Sequence, residues 1–531
     1  MRKNEMIEMN NLYIKTIILA VIASGSIKAQ VIKPTPKLVV NIVVDQLRSD
    51  YMEAFSSLYG DKGFKLLLKN GKVYTAASYD FKPVDRASAT ASIMTGSTPY
   101  YNGIVGEEWL DRETLRKVRC DEDKRYPGFF TSDAVSPKYL SVSTLGDELK
   151  VATGGKALVY SVSPFRDAAV ITAGHSADGV MWIDDNNGKW CTSSYYYKKS
   201  PSWLKLYNET ESPEVKLETV KWQPLSALSG SHSYFMNDNS SGRFTHKFTG
   251  DDRFREFKTS ALVNDVVEDM AESCIKNSAL GFDDVTDLLS VTFYAGKFKN
   301  DSKNNNIREL QDTYVRLDGT ISKLISKVNN IVGNEHVMYV LTGTGYIDEE
   351  ETEAKEYGIP SGTFYINRTA NFLSLYFGAK YGKGRYVEAY HNNHIYLNRK
   401  LFEQSKIDFN EALDKAKDFL MISEGVKDVV TGKQILANAI FGGKEIRNGY
   451  NPARSGDIMV EVAPGWKIYN EDTFETHISR ASFVPFPMII YGCGVTPGVV
   501  EEPVSVSYLA PTVARAIKIR APNACAYEPL F

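Results

Sequence analysis

Apolar residues fill Leu38 to Val44 with one interruption, Asn41, and the run stops at Asp45. A continuous apolar run between polar flanks predicts a strand covered on both faces in a parallel sheet. Similar runs lie at Ala157–Val162, Leu288–Tyr294, Val337–Leu341, Ile458–Val462 and Met488–Tyr491. Between them the period changes. Leu310, Tyr314, Leu317, Ile321, Leu324 and Val328 follow one another at steps of 4, 3, 4, 3 and 4, which lines one face of a helix. A second helical pattern covers about Val506 to Ile517 and a third Glu411 to Ile422. Strands alternating with helices over this length predict an α/β fold, an open and mostly parallel sheet with helices on both faces. Ligands in such sheets bind beyond the carboxyl ends of the strands, so Asp45 is a candidate site residue on position alone.

Two stretches interrupt the alternation. Trp182 to about Phe254 is polar and aromatic, and residues 349–451 carry helical material without a strong parallel-strand run. The second reads as a cap inserted into a core made of residues 30–348 and 452–531. At the amino terminus Lys15 precedes the apolar run Ile17–Ala23, followed by small residues up to Ala29. The run is well short of the roughly 20 residues that span a bilayer. A basic flank, a short apolar stretch and a small-residue exit predict a secretory signal peptide over residues 1–29, cleaved near Ala29, with Met1 and Met9 both candidate starts. The expected mature protein is periplasmic or secreted, with no transmembrane span.

Lys and Arg number 62 against 65 Asp and Glu, a net charge of −3, so no basic field points to nucleic acid. The five cysteines are scattered and form no Cys-x-x-Cys pair, which argues against a thiolate zinc site and leaves disulfide pairing open.

Several segments together carry a family resemblance. Val43-Val44-Asp45-Gln46-Leu47-Arg48-Ser49-Asp50-Tyr51 resembles the first metal-binding strand of secreted alkaline phosphatases of the type I phosphodiesterase/nucleotide pyrophosphatase kind. Ser92 to Pro99 and Asn102 to Gly106 resemble the segment after that family's nucleophile. Ala173-Gly174-His175, His394 to Asn398, Ser455 to Ile458, Pro464 to Trp466 and Ala510 to Ala514 match later blocks. The resemblance implies the alkaline phosphatase fold, two zinc ions and a Thr or Ser nucleophile, the paired dications neutralising charge on the attacking and leaving oxygens.

Slot by slot, the implied chemistry is missing. Asp45 matches the first metal ligand. The nucleophile slot, nine residues before Thr95, holds Arg86, and a guanidinium is permanently protonated. Ser88 and Thr90 are the nearest hydroxyls, with Ser88 expected as an ordinary helix-start residue. The phosphate-contact slots hold Glu107, Phe165 and Asp167 where the family has Asn, Lys and Arg; Arg166 lies one residue off. The remaining ligand slots hold Lys297, Asp301, Gly343 and Thr344, and only His477 keeps its imidazole. No Asp-His dipeptide occurs in the chain. A lysine about 4 Å from a dication would be repelled by roughly 8 kcal/mol at an effective dielectric of 20.

The leading expectation is therefore an exported alkaline phosphatase-superfamily protein that has lost phosphate-ester hydrolysis. It would act in binding or envelope assembly, with a small ligand in the cleft or an envelope protein as partner and no cofactor. The alternative is an active zinc-dependent phosphatase or phosphodiesterase with a rearranged site. A remnant oxygen cluster of Asp45, Asp85, Glu107, Asp167 and Asp301 could take one Ca²⁺ or Mg²⁺; a salt-bridge network with Arg86, Arg166 and Lys297 is favoured over it. His391 and His394, three apart on the cap segment, could pair as ligands on a helix, with core or surface roles favoured over that.

Overall fold

Alternate side chains of the first strand, β1 (Leu38–Asp45), feed two different cores. Leu38, Val40, Ile42 and Val44 pack into one cluster and Val39 and Val43 into another. This is the period of two that a strand imposes, and it shows a sheet covered on both faces. The computed structural model describes residues 34–225, 244–299, 307–348, 358, 360–440, 443–477, 480–481 and 484–531. The expected export segment lies outside them. No described helix is long and apolar enough to cross a membrane.

Four strands run parallel with β1: β2 (Val159–Val162), β3 (Gly179–Ile183), β4 (Asp287–Tyr294) and β5 (Val337–Gly343), in the order β5-β1-β4-β2-β3. Asp45 pairs in register with Tyr294, and Val44 with Gly343, so these strand ends lie level at one edge. Helix α1 (Arg86–Thr95) contributes Ile93 and Met94 to one core. Helix α2 (Arg166–Ala173) follows β2. Helix α3 (Ile307–Val332) contributes Leu310, Tyr314, Leu317, Ile321, Leu324 and Val328 to the opposite core, all six of its periodic apolar positions.

Three expectations need correction. Met488–Tyr491 does join the main sheet, as Phe486–Gly492, but it runs antiparallel to β5. Ile458–Val462 does not join it. It is β9 of a second, four-stranded antiparallel sheet with β6 (Val387–His391), β7 (His394–Leu397) and β8 (Val426–Thr431), in the order β6-β7-β9-β8. Exposure alternates along β9, so only one of its faces meets a core, which suits an antiparallel sheet. His391 and His394 sit opposite each other across the β6–β7 hairpin, not on a helix. The β-branched and aromatic residues around them favour the pleated surface.

The stretch from Trp182 begins inside the main sheet, where Trp182 and Ile183 of β3 pair with Cys191 and Trp190. All five cysteines are free thiols.

The second sheet is fastened to the segment 103–112 by polar contacts, most of them on the buried carboxylate of Asp457. Asp457, just before β9, accepts from Arg112 (3.1 Å), Arg399 (2.8 Å) and the Leu397 amide (2.8 Å). Arg112 also donates to the Ser455 carbonyl at 2.5 Å, and Arg454 to the Gly103 carbonyl.

Candidate functional site

The site lies where β1, β4 and β5 end. After Asp45 the chain turns sharply through Gln46, which adopts φ 60°, a left-handed conformation uncommon outside glycine. Its amide donates to Thr344 Oγ1 at 2.8 Å, and Thr344 Oγ1 donates to Asp45 Oδ1 at 2.9 Å. The turn after β5 needs glycine at 345. Its φ is +67°, and a Cβ there would stand 2.6 Å from Phe486 and 2.8 Å from Tyr79. This tight corner swings Tyr346 over the site, with its hydroxyl 3.5 Å from Asp45 Oδ2.

Helix α1 opens beside Asp45. Asp85 is its N-cap and accepts from the Ser88 amide at 2.9 Å, while the Ser88 hydroxyl accepts from the Asp85 amide at 3.0 Å. Ser88 is thus consumed in a capping box, as expected of a helix-start residue. Arg86 is the first residue of the helix, where a positive charge opposes the helix dipole. Carboxylates from three other segments offset that local penalty.

Arg86 donates from Nε to Asp167 Oδ2 at 2.9 Å and from Nη2 to Asp167 Oδ1 at 3.1 Å, a two-pronged contact. Its Nη1 lies 3.5 Å from Asp45 Oδ2, and its Nη2 3.3 Å from Glu107 Oε1. The guanidinium stacks on Phe165, with Cζ 3.9 Å from the ring centroid. Side-chain exposure is 14% for Arg86, 0% for Asp45 and 1% for Asp167. Glu107, Phe165 and Asp167, the residues in the phosphate-contact slots, and Asp45 therefore all meet the guanidinium of Arg86.

The two buried aspartates are shifted in opposite directions. Burial pushes the Asp45 carboxyl above its ordinary range, and Arg86 and Thr344 only partly counter this. Burial pushes Asp167 the same way, but Arg86 and Arg119 outweigh it and hold the carboxyl below its usual value. Burial disfavours the Arg86 cation, yet Asp167, Glu107 and Asp45 raise its pKa well above the ordinary value. Asp167, which makes the two-pronged contact and whose carboxyl Arg86 holds down, is thus the principal partner of Arg86.

The other candidates scatter. Asp85 turns to its cap and to the Glu107 amide, 2.6 Å away. Arg166 starts a helix rather than lying on a strand, and it pairs with Asp121 (2.8 Å) and Asp133 (2.5 Å). Lys297 follows β4, its carbonyl accepting the Tyr294 hydroxyl at 2.7 Å. Gly343 ends β5, and its carbonyl accepts the Tyr79 hydroxyl at 2.9 Å. Asp301 lies outside the described residues. His477 stands on Glu475–His477 beside the β6–β7 hairpin; burial, then His391, His477 and Arg112, push the His394 pKa down to about 3. Sequence reasoning missed Tyr346, Tyr79 and Arg119. Tyr346, two residues past the Thr344 slot, was within reach of the slot count; nothing along the chain marks the other two.

This donor set does not fit a pair of zinc ions. Zinc takes thiolate, imidazole or carboxylate ligands, and three of the slots hold an amine, no side chain and a hydroxyl. Both Asp45 oxygens already face donors. Among the described residues no group of three or more His, Cys, Asp or Glu is placed to hold a metal ion.

The block Ala173-Gly174-His175 has a structural role. His175, just after α2, sets Nδ1 3.1 Å from Asp147 Oδ2 and Nε2 3.0 Å from the Leu140 carbonyl. The hydrogen bond to Asp147 holds the His175 pKa above 6.5. A raised folded value means that the stabilisation is fully present below the unfolded pKa and is lost as pH rises through the folded one. The stability difference between the wild type and His175→Gln should thus be largest below about pH 6.5 and shrink above it. Denaturant midpoints across the neutral range check this, and a pH-independent difference would refute it.

A model of the family described as type I phosphodiesterase / nucleotide pyrophosphatase matches residues 39–480. Alkaline phosphatase PafA of Elizabethkingia meningoseptica is 29% identical over 97% of this chain and 98% of its own. Alkaline phosphatase PhoV of Synechococcus elongatus is 28% identical over 92% and 91%. A crystal structure of a PafA variant substituted at a threonine, an asparagine, a lysine and an arginine superposes with a TM-score of 0.79 at 27% identity, covering 94% of this chain and 98% of that one. The fold is that of the alkaline phosphatases, and the chain belongs to the type I phosphodiesterase/nucleotide pyrophosphatase family.

Proposed function

We propose that this family member does not hydrolyse phosphate esters and acts by binding, as an exported protein of the cell envelope. One observation carries the reading. The guanidinium of Arg86, in the slot that the resemblance assigns to the nucleophile, is bonded to Asp167, Asp45 and Glu107. A permanently protonated group has no lone pair with which to attack phosphorus. Glu107 and Asp167 would also repel a phosphoryl group. The PafA variant is substituted at Thr, Asn, Lys and Arg. The resemblance assigns those same four residue types to the slots held here by Arg86, Glu107, Phe165 and Asp167. The occupant of the crevice is a small ligand or an envelope partner.

The second reading, a working zinc-dependent phosphatase with a rearranged site, is favoured by the names of the relatives, which are alkaline phosphatases. One assay separates the two. Purified protein is given an aryl phosphate and an aryl phosphodiester at alkaline pH, with zinc added and with zinc removed. The expected result is turnover no faster than that of an Asp45→Ala control under either condition. Zinc bound in stoichiometric amount, together with turnover that Asp45→Ala abolishes, would establish the hydrolase instead.

A further inference from the structure

The misfit between the family's dications and this crevice implies more than lost activity. The carboxylates of Asp45 and Asp167 remain buried at the strand ends, and anions in such a place need positive charge. Arg86 is that charge. We propose that Arg86 is a tethered stand-in for the metals, so that the crevice is held together without any metal ion. Removing its side chain would then leave a site selective for a small planar cation.

The selectivity follows from the geometry. Asp167 presents both oxygens to Nε and Nη2, 2.9 and 3.1 Å away, the fork that matches a guanidinium and not a point charge. Phe165 offers its ring face 3.9 Å from Cζ, and a flat, weakly hydrated cation stacks there where a hydrated metal ion would not. Tyr346 and Thr344 are already spent on Asp45. Metal coordination wants oxygens converging on one centre; here they are spread around the rim of a plane.

The inference rests on the reading that the dizinc site does not assemble, and its test separates the two claims. Thermal unfolding is followed for the wild type with and without a chelator and with added zinc. It is then followed for Arg86→Ala with millimolar methylguanidinium, tetramethylammonium, calcium or zinc. The wild-type Tm should not move. Arg86→Ala should melt several degrees lower and recover at least half of the loss, saturably, with methylguanidinium only. Should Arg86→Ala not fold, Arg86→Lys supplies the measurement. That variant keeps the charge without the fork, so it should melt between the wild type and a denatured baseline and gain nothing from zinc. Rescue of either variant by calcium or zinc in place of methylguanidinium would overturn the stand-in. So would an Arg86→Ala protein as stable as the wild type. In both cases the loss of hydrolysis would be untouched. A wild type stabilised by zinc and weakened by the chelator would sink both claims.

Discussion

Replacing Asp457 by alanine should lower stability by about 3–5 kcal/mol, the cost of stripping one partner from a buried ion pair. The carboxylate is 2% exposed and faces two guanidinium groups, with Arg112 at 3.1 Å and Arg399 at 2.5 Å. Without it Arg112 and the half-exposed Arg399 lose their shared anion, and the Leu397 amide loses its acceptor. Because Asp457 joins the β6–β9 sheet to the loop that carries Arg112, the damage should be local at first. Hydrogen exchange should quicken along β6, β7 and β9 before the main sheet responds. Asp457→Asn keeps an acceptor and should lose less. A change within about 1 kcal/mol for the alanine variant, the range of exposed ion pairs, would show that this clasp holds nothing.

Asp167→Ala should be nearly as costly, again about 3–5 kcal/mol, because it leaves Arg86 without its two-pronged partner. The effect carries a pH signature. The folded Asp167 carboxyl titrates below its ordinary value of 3.8. A depressed folded pKa gives stability that is present above the unfolded value and is lost as pH falls through the folded one. Denaturant midpoints for the wild type and Asp167→Asn should therefore lie far apart near neutral pH and converge in acid below about pH 4. Midpoints equally far apart in acid would mean that shape, not charge, is what Asp167 contributes.

Much of the fold was legible in order along the chain. The run Leu38–Val44 declared itself a doubly covered strand, and the six apolar positions from Leu310 to Val328 declared a helix. Both patterns are local, and burial acts on them one residue at a time. Ile458–Val462 looked like the other strands because an apolar run does not reveal whether one face or two will be covered. The spacing of three between His391 and His394 suits a helix face and a tight hairpin equally well; register across the turn decides it.

The crevice was legible as a set of residue types. Counting from neighbouring motifs puts Arg86 in the nucleophile slot and Glu107, Phe165 and Asp167 in the phosphate-contact slots, and their chemistry already argues against phosphoryl transfer. Their mutual arrangement was not legible. Arg86 stands 41 residues from Asp45 and 81 from Asp167, and such groups meet only when strand pairing brings distant strand ends to one edge. Which way each carboxyl's pKa moves depends on burial and on the cations nearby, Arg119 among them, and these are properties of the packed chain. Residue chemistry is written locally and survives in any conformation; charge pairing at a distance exists only after the sheet has assembled.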